Sequence, residues 1–169
     1  ALVIGGAGME GYLDALTDQL PALNIVDCST GIPLLPDEHE GEMNAHIWLD
    51  AQNAARMTEN MGEALAALLP EQADKIRANT ENYAAALRAL DEEIKQTLSA
   101  LAARDIVTFH EAFPYFAKAY GLNVVAVVTV EADEALSPRR LAEVIDKVRA
   151  AGNPPLFTEP QYVSDAAVA

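Results

Sequence analysis

The chain has 169 residues, of which 51% are apolar, and a formal charge of −15 with a pI near 4.4. This length and apolar content predict one ordinary domain or two small lobes and exclude wholesale disorder. The negative charge excludes nucleic acids and anionic membrane surfaces as partners, because both attract Lys and Arg. The single cysteine, Cys28, excludes an internal disulfide framework and a multi-cysteine zinc site.

The first part of the chain alternates between strand and helix patterns. Short strands are predicted at 2–4 and 24–28, with a glycine turn and a helix over 9–20 between them. Residues 29–45 have no periodicity and contain prolines and glycines, which indicates a long loop. Its tip, Glu38-His39-Glu40, concentrates acids around one histidine. Loops of this length are usually functional or disordered, and His39 in this exposed acid run is expected to be solvated rather than a fixed ligand.

Two helices are predicted next. Asp50 is the expected N-cap of the first, which ends near Pro70 and carries Met57, Met61, Leu65 and Leu68 at helical spacing. Trp48, just before it, is expected in the core. The second helix spans 71–102, a rod of roughly 45 Å that is either a coiled coil or a spine between two lobes. Its apolar positions recur every three or four residues: Ile76, Thr80, Tyr83, Leu87, Leu90, Ile94, Leu98 and Leu101.

The strand–helix rhythm then resumes. The elements predicted in order are a strand over 106–109, a helix over 112–120, a strand over 124–130, a helix from Ser137-Pro138 to Gly152, a strand over 156–158 and a helix over 162–169. The strand over 124–130 is almost continuously apolar, as in a sheet covered on both faces. This alternation predicts an α/β fold with parallel sheets.

Two histidines are candidate metal ligands. His110 stands where the strand 106–109 ends, and His46 leaves the acidic loop. In open α/β sheets, ligands bind at the carboxyl ends of strands, and neutral imidazole is a common zinc ligand. The alternative is that each histidine is a hydrogen-bonded packing residue. Spacing alone does not choose between these readings.

Two glutamates lie close to these positions. Glu111 is either a general base beside a metal or the cap of the helix that follows. Glu159 either lines the same cleft or holds its turn through backbone hydrogen bonds. The turn Gly5-Gly6-Ala7-Gly8 lacks the spacing of a dinucleotide fingerprint, and no G-x-S-x-G, P-loop or H-E-x-x-H motif is present.

Four segments together carry a family resemblance: "GGAGMEGYLDAL", "NAHIWLDAQNAARMTENM", "IVTFHEAFPYFAKAYGLNVV" and "LFTEPQ". They resemble the solute-binding proteins of bacterial zinc and manganese ABC transporters, above all the periplasmic zinc-uptake component. The resemblance implies two lobes, each a small parallel sheet flanked by helices, with the metal between them. It assigns 1–70 and 103–169 to partial lobes and 71–102 to a rigid connecting helix.

By position, the resemblance makes His46 and His110 metal ligands. It also makes the loop tip Glu38-His39-Glu40 a reduced version of the auxiliary metal loop that zinc-type members carry before the first of these histidines. Manganese-preferring relatives often have a carboxylate at the second position, so His110 favours Zn²⁺, with Mn²⁺ as the alternative. The remaining ligands are expected outside this chain, which resembles an internal part of a protein about twice as long. The implied protein is a monomer, periplasmic or lipid-anchored outside the membrane, that serves an ABC permease and is not an enzyme. The alternatives are a metal-binding adhesin of the same fold and a zinc hydrolase with Glu111 as base.

Overall fold

The computed structural model describes residues 1–37, 41–128 and 137–159. The chain divides into two units, Ala1–Thr97 and Leu98–Ala169. The predicted loop tip Glu38-His39-Glu40, the end of the strand predicted over 124–130 and the helix predicted over 162–169 lie outside the described residues. The division into two lobes and a connecting helix stays a prediction.

The first unit contains a two-stranded parallel sheet. Strand β1 (Leu2–Ile4) pairs with β2 (Ile25–Asp27), and Leu2 lies opposite Ile25. Both strands fall where the sequence predicts them. Two parallel strands need a crossover connection, and residues between Ile4 and Ile25 provide it.

The predicted helix over 9–20 is wrong in length. The connection holds only a 3-10 turn (Gly11–Leu13) and one helical turn, α1 (Asp14–Thr17). Leu16 and Leu20 are 52% and 47% exposed. The Glu10 carboxylate accepts hydrogen bonds from the amides of Gly5 and Gly6, so it folds back over the glycine turn.

Helix α2 (Ala51–Leu68) is confirmed, together with its cap. The Asp50 carboxylate accepts a hydrogen bond of 2.8 Å from the amide of Gln52, which satisfies one of the unpaired amides of the first turn. The buried face, however, differs from the predicted methionine and leucine stripe. It consists of small residues: Ala51, Ala55, Gly62 and Ala66.

Helix α3 (Ala73–Ser99) follows a 3-10 turn at Pro70–Gln72. Its 27 residues correspond to about 40 Å. Two residues of its predicted apolar stripe do not face the core, since Tyr83 and Leu90 are 60% and 44% exposed. The buried positions are Ala84 and Asp91.

Asp91 links helix α3 to the start of helix α2. Its carboxylate has no exposed surface and accepts hydrogen bonds from Gln52 Nε2 at 2.5 Å and Lys95 Nζ at 2.6 Å. Buried carboxylates are stable when such donors replace water. These bonds hold the first turn of α2, and therefore the segment just before it, against the long helix.

Gly62 allows close contact between helices α2 and α3. A Cβ atom there would lie 2.1 Å from Thr80 Oγ1 and 2.8 Å from Thr80 Cβ. We expect Gly62→Ala to lower the free energy of unfolding by about 1–3 kcal/mol through overpacking, although alanine favours helices by about 1 kcal/mol. Urea unfolding measures the change.

Two further variants test the cause of this loss. Gly11 has no atom within 4 Å of its virtual Cβ, so Gly11→Ala should leave the stability nearly unchanged. Thr80→Ala in the Gly62→Ala background should recover much of the loss. A Gly62→Ala protein more stable than the wild type would show that α2 and α3 do not meet at this point.

The second unit contains a three-stranded parallel sheet in the order β4-β3-β5. Its strands are β3 (Asp105–Thr108), β4 (Asn123–Val127) and β5 (Leu156–Phe157). Its helices are α4 (Pro114–Tyr120), which ends at Gly121 in the left-handed conformation with φ 67°, and α5 (Pro138–Ala150), capped by the Ser137 hydroxyl. These elements confirm the predicted α/β class and parallel pairing.

The core of this unit lies between its sheet and helix α5. The cluster of buried side chains comprises Val107, Phe109, Ala126, Val128 and Val144. Val144 comes from α5, and Val148 of the same helix also packs against this cluster. Because Phe109 belongs to this core, the backbone that leads into His110 is held in place.

Candidate metal centre

His46 is held between two fully buried neighbours. Asn44 and Ile47 have exposed fractions of 1% and 0%, and Ile47 opens a 3-10 turn that ends at Leu49. The side-chain amide of Asn53, in the first turn of α2, donates to the carbonyl of Ile47 at 3.2 Å. His46 therefore projects from a backbone anchored on both sides.

Asn44 also orients the His46 ring. Its Oδ1 accepts hydrogen bonds from the His46 amide at 3.0 Å and from His46 Nδ1 at 3.3 Å, while its Nδ2 donates to Asp37 Oδ2 at 3.1 Å. The Asp37 bond fixes which end of the Asn44 amide is oxygen. With the hydrogen on Nδ1, Nε2 is the nitrogen of His46 that offers a lone pair.

Trp48 lies beside this ring and outside the core. Its ring centroid is 5.4 Å from that of His46 with an interplanar angle of 50°, and 40% of the residue is exposed. The expectation that Trp48 is a core residue is therefore wrong. Its indole covers one side of the His46 imidazole and limits the positions that this ring can take.

His110 occupies the position that the sequence predicts, just beyond the carboxyl end of β3. The preceding residue, Phe109, is 3% exposed and belongs to the core, and the amide of Ala112 donates to the His110 carbonyl at 2.9 Å. The side chain of His110 is 11% exposed. A buried strand and a tight turn thus fix this imidazole from both directions.

Glu159 contacts His110 directly, whereas the sequence predicted only that Glu159 lines the same cleft or holds its own turn. Its Oε1 accepts a hydrogen bond from His110 Nδ1. Strands β3 and β5 bring the two residues together from positions 49 apart in the chain. A sequence alone does not show that β3 and β5 are neighbours in the sheet, so it could not predict this contact.

Glu111 does not cap the following helix as one prediction had it. Helix α4 begins at Pro114 after Phe113, and no acidic residue lies in its first turn. Glu111 is half-buried in the turn between His110 and that helix. Its expected place in a metal cleft stays a prediction.

Cys28 does not resemble a metal ligand. The residue is 1% exposed, and burial, followed by the negative charges of Asp27 and Glu10, raises the pKa of its thiol. Metals bind the thiolate, which these surroundings disfavour.

Each candidate histidine has its Nδ1 bound, which fits a metal ligand that coordinates through Nε2. Within residues 1–37, 41–128 and 137–159, no three His, Cys, Asp or Glu side chains form a group that could hold a metal. A zinc ion in a closed site takes four ligands, so neither histidine forms such a site by itself. No helix of the described ranges is long and apolar enough to cross a membrane.

Comparison with known families shows that residues 1–169 match the family described as zinc-uptake complex component A, periplasmic (ZnuA). The chain belongs to the ZnuA family. This family comprises solute-binding proteins of ABC transporters and not enzymes, which confirms the prediction that the chain is not an enzyme. The alternative of a zinc hydrolase with Glu111 as base is therefore wrong.

Relatives of this ZnuA-family chain are named for different metals. The manganese-binding lipoprotein MntA of Halalkalibacterium halodurans is 29% identical over 158 residues, which cover 92% of this chain and 53% of MntA. The high-affinity zinc uptake protein ZnuA of Brucella abortus is 30% identical over 122 residues, 72% of this chain and 36% of that protein. The chain thus spans about half or less of the length of these relatives.

A solved structure supports the ZnuA-family fold. The periplasmic zinc-binding protein TroA of Treponema pallidum matches with a TM-score of 0.84 and 25% identity, over 98% of this chain and 61% of TroA. The expected fold of a metal-type periplasmic binding protein, with small parallel sheets flanked by helices, is therefore confirmed.

Proposed function

We propose that this chain is part of a solute-binding protein that captures Zn²⁺ outside the cytoplasmic membrane and delivers it to an ABC permease. His46 and His110 are its proposed ligands, both donating Nε2 to the same ion. The observation that carries the proposal is the hydrogen bond made by Nδ1 of each ring, to Asn44 in one unit and to Glu159 in the other. Histidines that bind metals usually donate their other ring hydrogen in this way.

The rigid surroundings of both histidines support a binding role. A ligand side chain must be held close to its productive position before the ion arrives, and sites on rigid elements achieve this best. Ile47 is fully buried beside His46, and Phe109 is buried beside His110. His46 directly precedes the 3-10 turn at Ile47–Leu49, and His110 follows the end of β3 by two residues.

Zinc is the proposed cargo because both candidate ligands are nitrogens. Imidazole suits zinc, whereas manganese prefers carboxylate, carbonyl and water oxygens. Family members bind zinc or manganese, and MntA is named for manganese. Manganese is thus the second candidate cargo. Two histidines are half of the four ligands of a closed zinc site, so the proposal requires further donors.

The proposal also includes the location and the partners. The family description names the periplasm, and MntA is named as a lipoprotein. We place the protein outside the cytoplasmic membrane, either free or lipid-anchored, acting as a monomer with one permease.

Calorimetric titration of the chelator-stripped, full-length protein tests the proposed cargo. We expect one Zn²⁺ to bind per molecule, and more tightly than Mn²⁺ in the same buffer. Tighter binding of Mn²⁺ would support the manganese alternative. Failure to bind either ion would contradict the proposed function.

A further inference from the structure

The strand pairing of the second unit brings Glu159 next to His110. In the parallel pair of β3 and β5, Thr108 lies opposite Phe157. The amide of Phe109 then donates to the carbonyl of Phe157 at 3.0 Å, so the pairing continues past the strands. His110 and Glu159 each come two residues after Thr108 and Phe157, at the same edge of the sheet.

The contact between these side chains is largely shielded from water. The exposed fractions are 11% for the His110 side chain and 22% for that of Glu159. A carboxylate oxygen can only accept, so the hydrogen of this bond comes from Nδ1 of the imidazole. In a neutral ring, Nε2 is then the nitrogen with the lone pair.

We infer that Glu159 is a positioning residue for His110, fixing the Nδ1–H tautomer and the ring orientation in which Nε2 binds the metal. This inference rests on the proposed function. A carboxylate behind a metal-binding histidine also makes the imidazole a stronger donor, and the loss of such a partner typically lowers metal affinity by about 10–100-fold.

The two histidines differ in the strength of this support. His46 Nδ1 donates to the neutral amide oxygen of Asn44 at 3.3 Å, near the long end of the range for hydrogen bonds. Bonds to charged acceptors are roughly twice as strong as neutral ones. We therefore assign to Glu159 the larger influence on zinc affinity of these two partners.

The test compares Glu159→Leu and Glu159→Gln with the wild-type protein. Leucine removes the acceptor, so we expect zinc affinity to fall by about 10–100-fold. Glutamine keeps a neutral acceptor of the same shape, so it should recover much of that loss. The control is Glu143→Gln, which changes a half-exposed glutamate of α5 in the same unit and should leave the affinity unchanged.

Nitrogen-15 NMR of the His110 ring in the metal-free protein gives a second readout that a purely structural role would not move. In the neutral ring, we expect the hydrogen on Nδ1 in the wild type and in Glu159→Gln. In Glu159→Leu this preference should disappear while the thermal unfolding curve stays close to that of the wild type.

Two results would overturn the inference: a wild-type ring with its hydrogen on Nε2, or zinc affinity of Glu159→Leu within twofold of the wild type. If Glu159→Leu does not fold, the wild-type tautomer still decides, because a wild-type ring with its hydrogen on Nε2 refutes the inference by itself. Wild-type protein that binds no zinc would instead refute the proposed function, and the ring spectrum would still decide the pairing.

Discussion

Replacing His46 and His110 together by alanine is expected to lower the zinc affinity of the protein by more than about a thousandfold. Zinc sites with four ligands release about 10–16 kcal/mol, so two ligands account for at least about 5 kcal/mol. Calorimetry or competition with a fluorescent chelator measures the loss. The control is Tyr83→Ala on the exposed side of α3, where the ring is 60% exposed, and it should bind zinc like the wild type.

The two single variants test whether the histidines share one ion. If both bind the same zinc, the effects of His46→Ala and His110→Ala should be coupled rather than additive. If they bind separate ions, each variant should lose one of two equivalents and leave the other intact. Stoichiometric binding that survives in the double variant would contradict the assignment of both ligands.

The second large effect is expected at Gly6, in the turn after β1. Gly6 has φ +84°, and a Cβ there would lie 2.0 Å from Asp27 Oδ1 and 2.4 Å from Ser29 Oγ. These two atoms are joined by a hydrogen bond of 2.7 Å. We expect Gly6→Ala to lower the free energy of unfolding by about 2–5 kcal/mol, the sum of about 1–2 for the left-handed backbone and about 1–3 for the clash.

Gly8 provides a matched control for the backbone contribution alone. Its φ is +85°, and nothing lies within 4 Å of its virtual Cβ. Gly8→Ala should therefore cost only about 1–2 kcal/mol. Equal losses for Gly6→Ala and Gly8→Ala in chemical denaturation would show that the contacts to Asp27 and Ser29 are not tight in solution.

Elements with explicit start and stop signals could be predicted from the sequence. Asp50 caps α2 and Ser137 caps α5, and each serves where it was expected. Gly121 ends α4 in the left-handed conformation, which residues with a side chain adopt only rarely. Such signals act within a few neighbouring residues, so a single sequence contains all the information they need.

The region 9–20 shows where such reasoning fails. Its leucine spacing indicates a full helix, but the chain forms one helical turn, α1, after a 3-10 turn. Positive φ values at Gly6, Ala7 and Gly8 and the bonds from the Gly5 and Gly6 amides to Glu10 determine the path into this segment. Apolar spacing does not report such contacts.

The inward face of α3 depended on tertiary contacts as well. Asp91, a residue type almost never fully buried without a partner, occupies a buried position because Gln52 and Lys95 bind its carboxylate. Gln52 lies 39 residues away, and hydrophobic periodicity cannot identify such a pair. Leu90, the neighbouring apolar residue, is exposed instead.

The candidate site was predicted in part. His46 and His110 stood out because of their positions next to apolar segments and because of the family resemblance. Asn44 did not stand out, and Glu159 was expected at the cleft but not as the partner of His110. A hydrogen bond to Nδ1 depends on ring orientation and, for Glu159, on the register between β3 and β5. Sequence patterns therefore indicated the two histidines but not the hydrogen bonds that orient their rings.

The most direct test of the proposed site is anomalous diffraction at the zinc edge from crystals of the zinc-loaded, full-length protein. We predict one strong peak, with Nε2 of His46 and Nε2 of His110 both about 2.0–2.1 Å from it. A zinc ion bound by other side chains, or the two rings on separate ions, would contradict the central claim.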